Sequence, residues 1–153
     1  MTNKPSITLS KDLFFAEVEN LLKDQSSVQI CVKGNSMLPF IRHNDTVLLT
    51  SPSPENVRRG AIVVALTDEI GYVLHRIIKI EGSSITLKGD GNLYQKEHTD
   101  RKRVIAVAVR CERGNHTYST ESRTMRFLGS LWMTLHPCCK KFILFFYSKS
   151  CLR

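Results

Sequence analysis

No segment of this 153-residue chain offers the roughly 18 uninterrupted apolar residues of a membrane-spanning helix. Cysteine is scarce as well. The five present are odd in number and follow no framework spacing, which argues against a disulfide scaffold and for a reducing compartment. The groups one could force into a metal site, Cys111 with His116 or His136 with Cys138 and Cys139, lack a second matching half. Neither a zinc site nor a cofactor is therefore expected. Acidic residues are in deficit, with 14 Asp and Glu against 22 Lys and Arg, and the net charge of +8 suits an anionic partner, lipid surface or nucleic acid. Met1 to Ser10 is polar and Lys11 to Asp24 too charged for an apolar leader core, so no secretory signal is expected. The apolar share of 42% and charged share of 24% are ordinary, and the length suits one domain with an appendage.

Periodicity gives the outline of the fold. Ser10 can cap a helix over Lys11 to Lys23, with Leu13, Phe14, Val18, Leu21 and Leu22 on one face. Short runs at Val28 to Val32, Thr46 to Thr50, Ala61 to Leu66, Tyr72 to Ile80, Ile85 to Leu87 and Val104 to Val109 read as strands. Pro39 fits the first turn of a brief helix over Ser36 to Ile41. With one helix ahead of the strands and no alternation of strand and helix, the chain is expected to be mostly β. Residues 113–123 are polar and read as a linker between a domain over 1–112 and an apolar, basic, helical tail over 124–153.

A serine, a histidine and an aspartate stand in three turn or strand segments, at Ser36, His75 and Asp90. A hydroxyl is a poor nucleophile near neutrality, so it needs a base, and imidazole with an unperturbed pKa of about 6.5 is suited to that task. Alternation in Tyr72 to Ile80 puts Val73, His75, Ile77 and Lys79 on one face and Leu74, Arg76, Ile78 and Ile80 on the other. Asp45 reads as a turn acceptor, Asn44 as a residue tolerant of left-handed backbone, and Met37 as a core or pocket-wall residue.

The run Gly34-Asn35-Ser36-Met37-Leu38-Pro39, followed by Asn44-Asp45-Thr46-Val47, resembles the nucleophile box of the signal-peptidase and repressor-type serine peptidase superfamily. Gly60-Ala61-Ile62-Val63-Val64 is similar to the next strand of that group. Val73-Leu74-His75-Arg76-Ile77-Ile78 resembles its base box, and Leu87-Lys88-Gly89-Asp90-Gly91-Asn92 its acidic box. The endoplasmic-reticulum and sporulation types of signal peptidase are the nearest match, because they carry His where most bacterial relatives carry Lys. The resemblance implies a superfamily β fold with Ser36 as nucleophile, His75 as base and Asp90 as the acid that fixes the imidazole. It also implies that the Ser36 N–H lies in the oxyanion hole and that the substrate is an extended peptide with small residues near the scissile bond. A serine supplies a second oxyanion donor in signal-peptidase relatives, two positions before the nucleophile. Gly34 stands there in this chain, so that donor must come from the backbone or elsewhere.

True signal peptidases carry an N-terminal membrane helix, and no counterpart is legible here. The expected substrate is accordingly a dedicated precursor or leader peptide on the cytoplasmic side rather than the general secretory pool. Nucleic acid is not expected as a partner, since no helix-turn-helix fits ahead of Ser36. The tail over 124–153 has two readings. It can lie on an anionic membrane face with Trp132 and Tyr147 at headgroup level and lysines outward, making the protein cytoplasmic and peripheral. It can instead pack on its own domain or a partner. The alternative to an enzyme is a binding or regulatory module that keeps the fold and is held by this tail.

Overall fold

The computed structural model describes residues 11–150, so the cap expected at Ser10 lies outside the described residues. Helix α1 (Lys11–Asp24) precedes eight strands: β1 (Ser27–Cys31), β2 (Thr46–Thr50), β3 (Ile62–Thr67), β4 (Gly71–Glu81), β5 (Ser84–Lys88), β6 (Glu97–Asp100), β7 (Val104–Arg113) and β8 (His116–Ser119). Helices α2 (Arg123–Thr134) and α3 (Pro137–Ser150) follow. The strands form one curled sheet in the order β1-β2-β7-β3-β4-β5-β6, with β8 added beside β7, and each pairing is antiparallel. The mostly β expectation holds.

Alternation along the strands separates two cores. Ile62 and Val64 of β3 join Phe15, Val18 and Leu22 of α1, together with Val47, Leu49 and Ala106. Their neighbours Val63 and Ala65 join Val73, Ile77, Ile85, Leu87 and Val107 on the opposite face. Each fully buried aliphatic side chain contributes about 1.5–3 kcal/mol relative to exposure, so β3, apolar on both faces, anchors both layers. Within α1 the inward stripe is Phe15, Val18 and Leu22, whereas Leu13 is 61% exposed. The i, i+3, i+7 spacing of that stripe explains the shift from the face expected.

Bulges bend the sheet between Leu48 and Leu49, Val64 and Ala65, and Ile77 and Lys79. The last of these resets the alternation of β4, so Ile80 packs on the same side as Val73 and Ile77. The far edge curls back: Asp68 N–H donates to the His98 carbonyl at 3.1 Å, and Thr99 Oγ1 donates to the Leu66 carbonyl at 2.6 Å. The polar stretch over 113–123 is not an open linker. It forms β8, paired with β7 from Arg110 to Arg113, and ends at Ser122, whose Oγ accepts from Met125 N–H at 3.2 Å to cap α2.

Candidate active site

The loop after β1 is closed at its neck. Val32 N–H donates to the Asp45 carbonyl and Asn44 N–H to the Val32 carbonyl, both at 2.8 Å. Gly34 sits at φ +101°, where a side chain would be strained, and Asn44 takes the left-handed conformation at φ 68°. Asp45 accepts from Arg42 N–H at 2.8 Å and from Arg113 Nη2 at 2.6 Å, which makes it the turn acceptor expected. Met37 and Ile41 are buried in the α1 side of the core and hold the loop down, leaving Ser36 exposed at its crest. No helix forms there. Leu38 N–H donates to the Asn35 carbonyl and Ile41 N–H to the Met37 carbonyl in consecutive turns, and the Leu38–Pro39 peptide is cis. Among the described residues the N–H groups of Ser36 and Met37 have no acceptor, and the Ser36 hydroxyl has no hydrogen-bond partner.

His75 and Arg76 are adjacent on β4 and so point to opposite faces. His75 is 4% exposed, and its Nδ1 lies 2.8 Å from Oε2 of Glu97, which is fully buried on β6. With Nδ1 engaged by a carboxylate, Nε2 is the ring atom left to exchange a proton. Glu97 Oε1 is buried without a partner. Asp90 does something else. Its Oδ1 accepts from Arg76 Nε at 2.8 Å and its Oδ2 from Arg76 Nη2 at 2.6 Å, in a buried bidentate pair. Arg76 Nη1 also donates to the Gly60 carbonyl at 2.8 Å, and its Cζ lies 4.8 Å from the Phe40 ring centre. The role expected for Asp90, holding the imidazole, therefore passes to Glu97. Strand alternation carries Arg76 to the side where Asp90 waits, and the guanidinium fork matches both carboxylate oxygens.

Asp90 still belongs to the site through its flanking glycines. A Cβ on Gly89 would lie 2.6 Å from the Ser36 carbonyl oxygen and 3.0 Å from His75 Nε2. One on Gly91 would lie 2.7 Å from the Asn35 carbonyl oxygen, and Gly91 N–H donates to the Ser36 carbonyl at 2.8 Å. The Gly89–Gly91 turn is thus wedged between the serine peptide and the free ring nitrogen, and only glycine fits there.

The C-terminal helices fasten the same turn. Trp132 is 5% exposed, its Nε1 donates to the Asp90 carbonyl at 2.9 Å, and its ring meets Phe40 edge-on. This overturns the expectation of Trp132 at headgroup level. Gly129 of α2 faces Arg76, whose Nη1 would sit 2.8 Å from any Cβ placed there. Tyr147 of α3 also turns inward, hydrogen-bonded to Arg42 and stacked on its guanidinium at 4.4 Å. The opposite faces stay apolar and exposed, from Phe127 at 68% to Phe142 at 66%. No described helix is long and apolar enough to cross a membrane.

Glu97 is the site residue that sequence reasoning missed. Its strand, Glu97-His98-Thr99-Asp100, has no apolar member and so gave no periodic signal; only the structure shows Glu97 and Thr99 turned inward. Among the described residues no cluster of His, Cys, Asp and Glu could hold a metal. Cys111 is buried, which pushes its thiol up to about 11 and removes it as a nucleophile near neutrality.

The fold thus brings together an exposed serine on a tight loop, an imidazole backed by a buried carboxylate and a glycine wedge between them. The chain belongs to the Peptidase S24-like family, whose model matches residues 4–109. No curated protein matches it significantly.

Proposed function

We propose that the protein is a serine endopeptidase of the signal-peptidase type, acting on an extended peptide or precursor. Ser36 Oγ attacks the carbonyl, His75 Nε2 takes the proton and returns it to the leaving amine, and Glu97 holds the Nδ1–H tautomer and stabilises the imidazolium. The free N–H groups of Ser36 and Met37 are the oxyanion donors. Asp90 acts as a positioning residue, through Arg76 and its own turn. One observation carries the reading: the Ser36 peptide and His75 Nε2 pack on the same Gly89 while Glu97 occupies the other ring nitrogen. In an apo site the nucleophile–base hydrogen bond is often open and closes with substrate. A fluorophosphonate probe should label the parent chain and fail on Ser36→Ala and His75→Ala. Equal labelling of all three, or none in the parent, leaves the binding-module alternative in its place.

The outer face of α2 and α3 is proposed to rest on an anionic membrane surface on the cytoplasmic side. Exposed Phe127, Leu131, Phe142, Phe145 and Phe146 support this, with exposed Arg123, Arg126 and Lys141 beside them. Vesicles rich in phosphatidylglycerol should float the parent and release a variant with Phe142→Ser and Phe146→Ser. Equal flotation of the two removes the membrane from the proposal.

A further inference from the structure

A cleft of about 370 Å³ is lined by the Gly89–Asp90 turn and by residues of the α2–α3 junction. Its volume falls within the ordinary range for ligand sites. Arg59, Lys88, Lys96 and Lys140 line it, together with Trp132, Met133 and Pro137. The one carboxylate in its wall is Asp90, already committed to Arg76. Lys140 is the telling residue. It is only 6% exposed as a residue, and among the described residues its Nζ has neither hydrogen bond nor ion pair; the Trp132 ring centre lies 5.6 Å away and the Asp90 carboxylate acts on it through space. The stem is buried while the ammonium faces the cleft without a direct acidic partner, an arrangement that favours an anion entering there. Burial and then Lys88 hold Lys140 below its ordinary lysine value, and burial and then Lys96 do the same for Lys88. Nearby, Lys88 Nζ donates to the Leu93 carbonyl at 2.6 Å, which leaves two of the three ammonium donors for other partners.

We infer that this cleft is a substrate subsite for an acidic side chain, a Glu or Asp of the peptide lying close to the bond that Ser36 cleaves. The inference rests on the peptidase reading of Ser36 and His75, because the cleft shares Gly89 with them and an occupant there belongs to the same extended chain. Lys140 and Lys88 would supply the charge-assisted hydrogen bonds, Trp132 the apolar wall, and Arg59 and Lys96 the field at the rim.

Trp132, the only tryptophan of the chain, reports occupancy directly. In the Ser36→Ala background, which prevents turnover, its fluorescence is titrated with the acetylated and amidated pentapeptides Ala-Ala-Glu-Ala-Ala and Ala-Ala-Gln-Ala-Ala. The glutamate peptide should bind about tenfold more tightly, equivalent to about 1.4 kcal/mol. Lys140→Gln should bring the two within about twofold without weakening the glutamine peptide, Lys88→Gln should act in the same direction, and Lys140→Arg should keep most of the preference. Equal affinities in the Ser36→Ala chain, or a preference that survives both glutamine substitutions, would overturn the subsite. A response to glycerol 3-phosphate or inorganic phosphate with none to the glutamate peptide would overturn it too, in favour of a phosphate site. Because binding needs no hydrolysis, glutamate preference without fluorophosphonate labelling would remove the enzyme and keep the cleft.

Discussion

His75 and Arg76 are neighbours in sequence, each meets a buried carboxylate, and the two pairs are built for different ends. Arg76 and Asp90 saturate one another, with two-pronged contact and further bonds to the Gly60 and Asp90 carbonyls from Arg76 and Trp132. His75 and Glu97 share a single contact and leave one ring nitrogen and one carboxylate oxygen unpartnered. A saturated pair fixes a turn in place. An unsaturated one keeps capacity for a proton, and that capacity is what chemistry on Ser36 would use.

The sharpest way to break this contrast is Glu97→Gln against Asp90→Asn. Glutamine can present its NH₂ to Nδ1 and drive the proton to Nε2, so peptide cleavage should fall about 10²–10⁴-fold with little change in unfolding midpoint. Asp90→Asn should instead lower the midpoint first. If Asp90→Asn abolishes cleavage in a fully stable protein while Glu97→Gln is active, the two carboxylates have been assigned the wrong way round. Next in size, Arg76→Met strands a buried carboxylate and should destabilise by about 3–5 kcal/mol in urea unfolding, most of it recovered by adding Asp90→Leu. Gly89→Ala forces a methyl against the Ser36 carbonyl and should cost about 1–3 kcal/mol, with loss of labelling at Ser36 while the protein is still folded.

The smallest effect has the opposite sign. Because the folded-state pKa of Lys140 is lowered, the unfolded chain binds that proton more tightly, and stability rises as pH rises toward the ordinary value of 10.5. Lys140→Met should therefore raise the melting temperature at pH 7, a gain that shrinks as pH approaches the ordinary lysine range. A fall in melting temperature on this substitution would mean that the ammonium is satisfied in the folded chain.

Where residues are apolar and alternate, the sequence was a sound guide. Thr46–Thr50 is β2 to the residue, β4 was found one residue short at each end, and β7 stopped four residues early at Val109, where charged Arg110, Glu112 and Arg113 break the apolar run. Strands β6 and β8 were invisible for the same reason: Glu97–Asp100 and His116–Ser119 are held by neighbours and not by their own patterning. Of the site, the motifs gave Ser36 and His75 their places, and the Asp90 turn its position beside them. They could not give Asp90's partner, since nothing local says which face of a sheet a turn will reach across. Trp132 was read from its amphipathic helix alone, and the hydrogen bond that buries it spans 42 positions of sequence.

Gly129 has a wider consequence. With no side chain there, α2 lies directly on the Arg76 guanidinium, while three residues on Trp132 grips the backbone of Asp90. A polypeptide ending before this point would open a solvent path to the cation beneath and loosen the wedge beside Ser36. The greasy C-terminus is thus, on its inner side, a roof over the Arg76–Asp90 pair and the glycine turn that bears it, whatever its outer side meets.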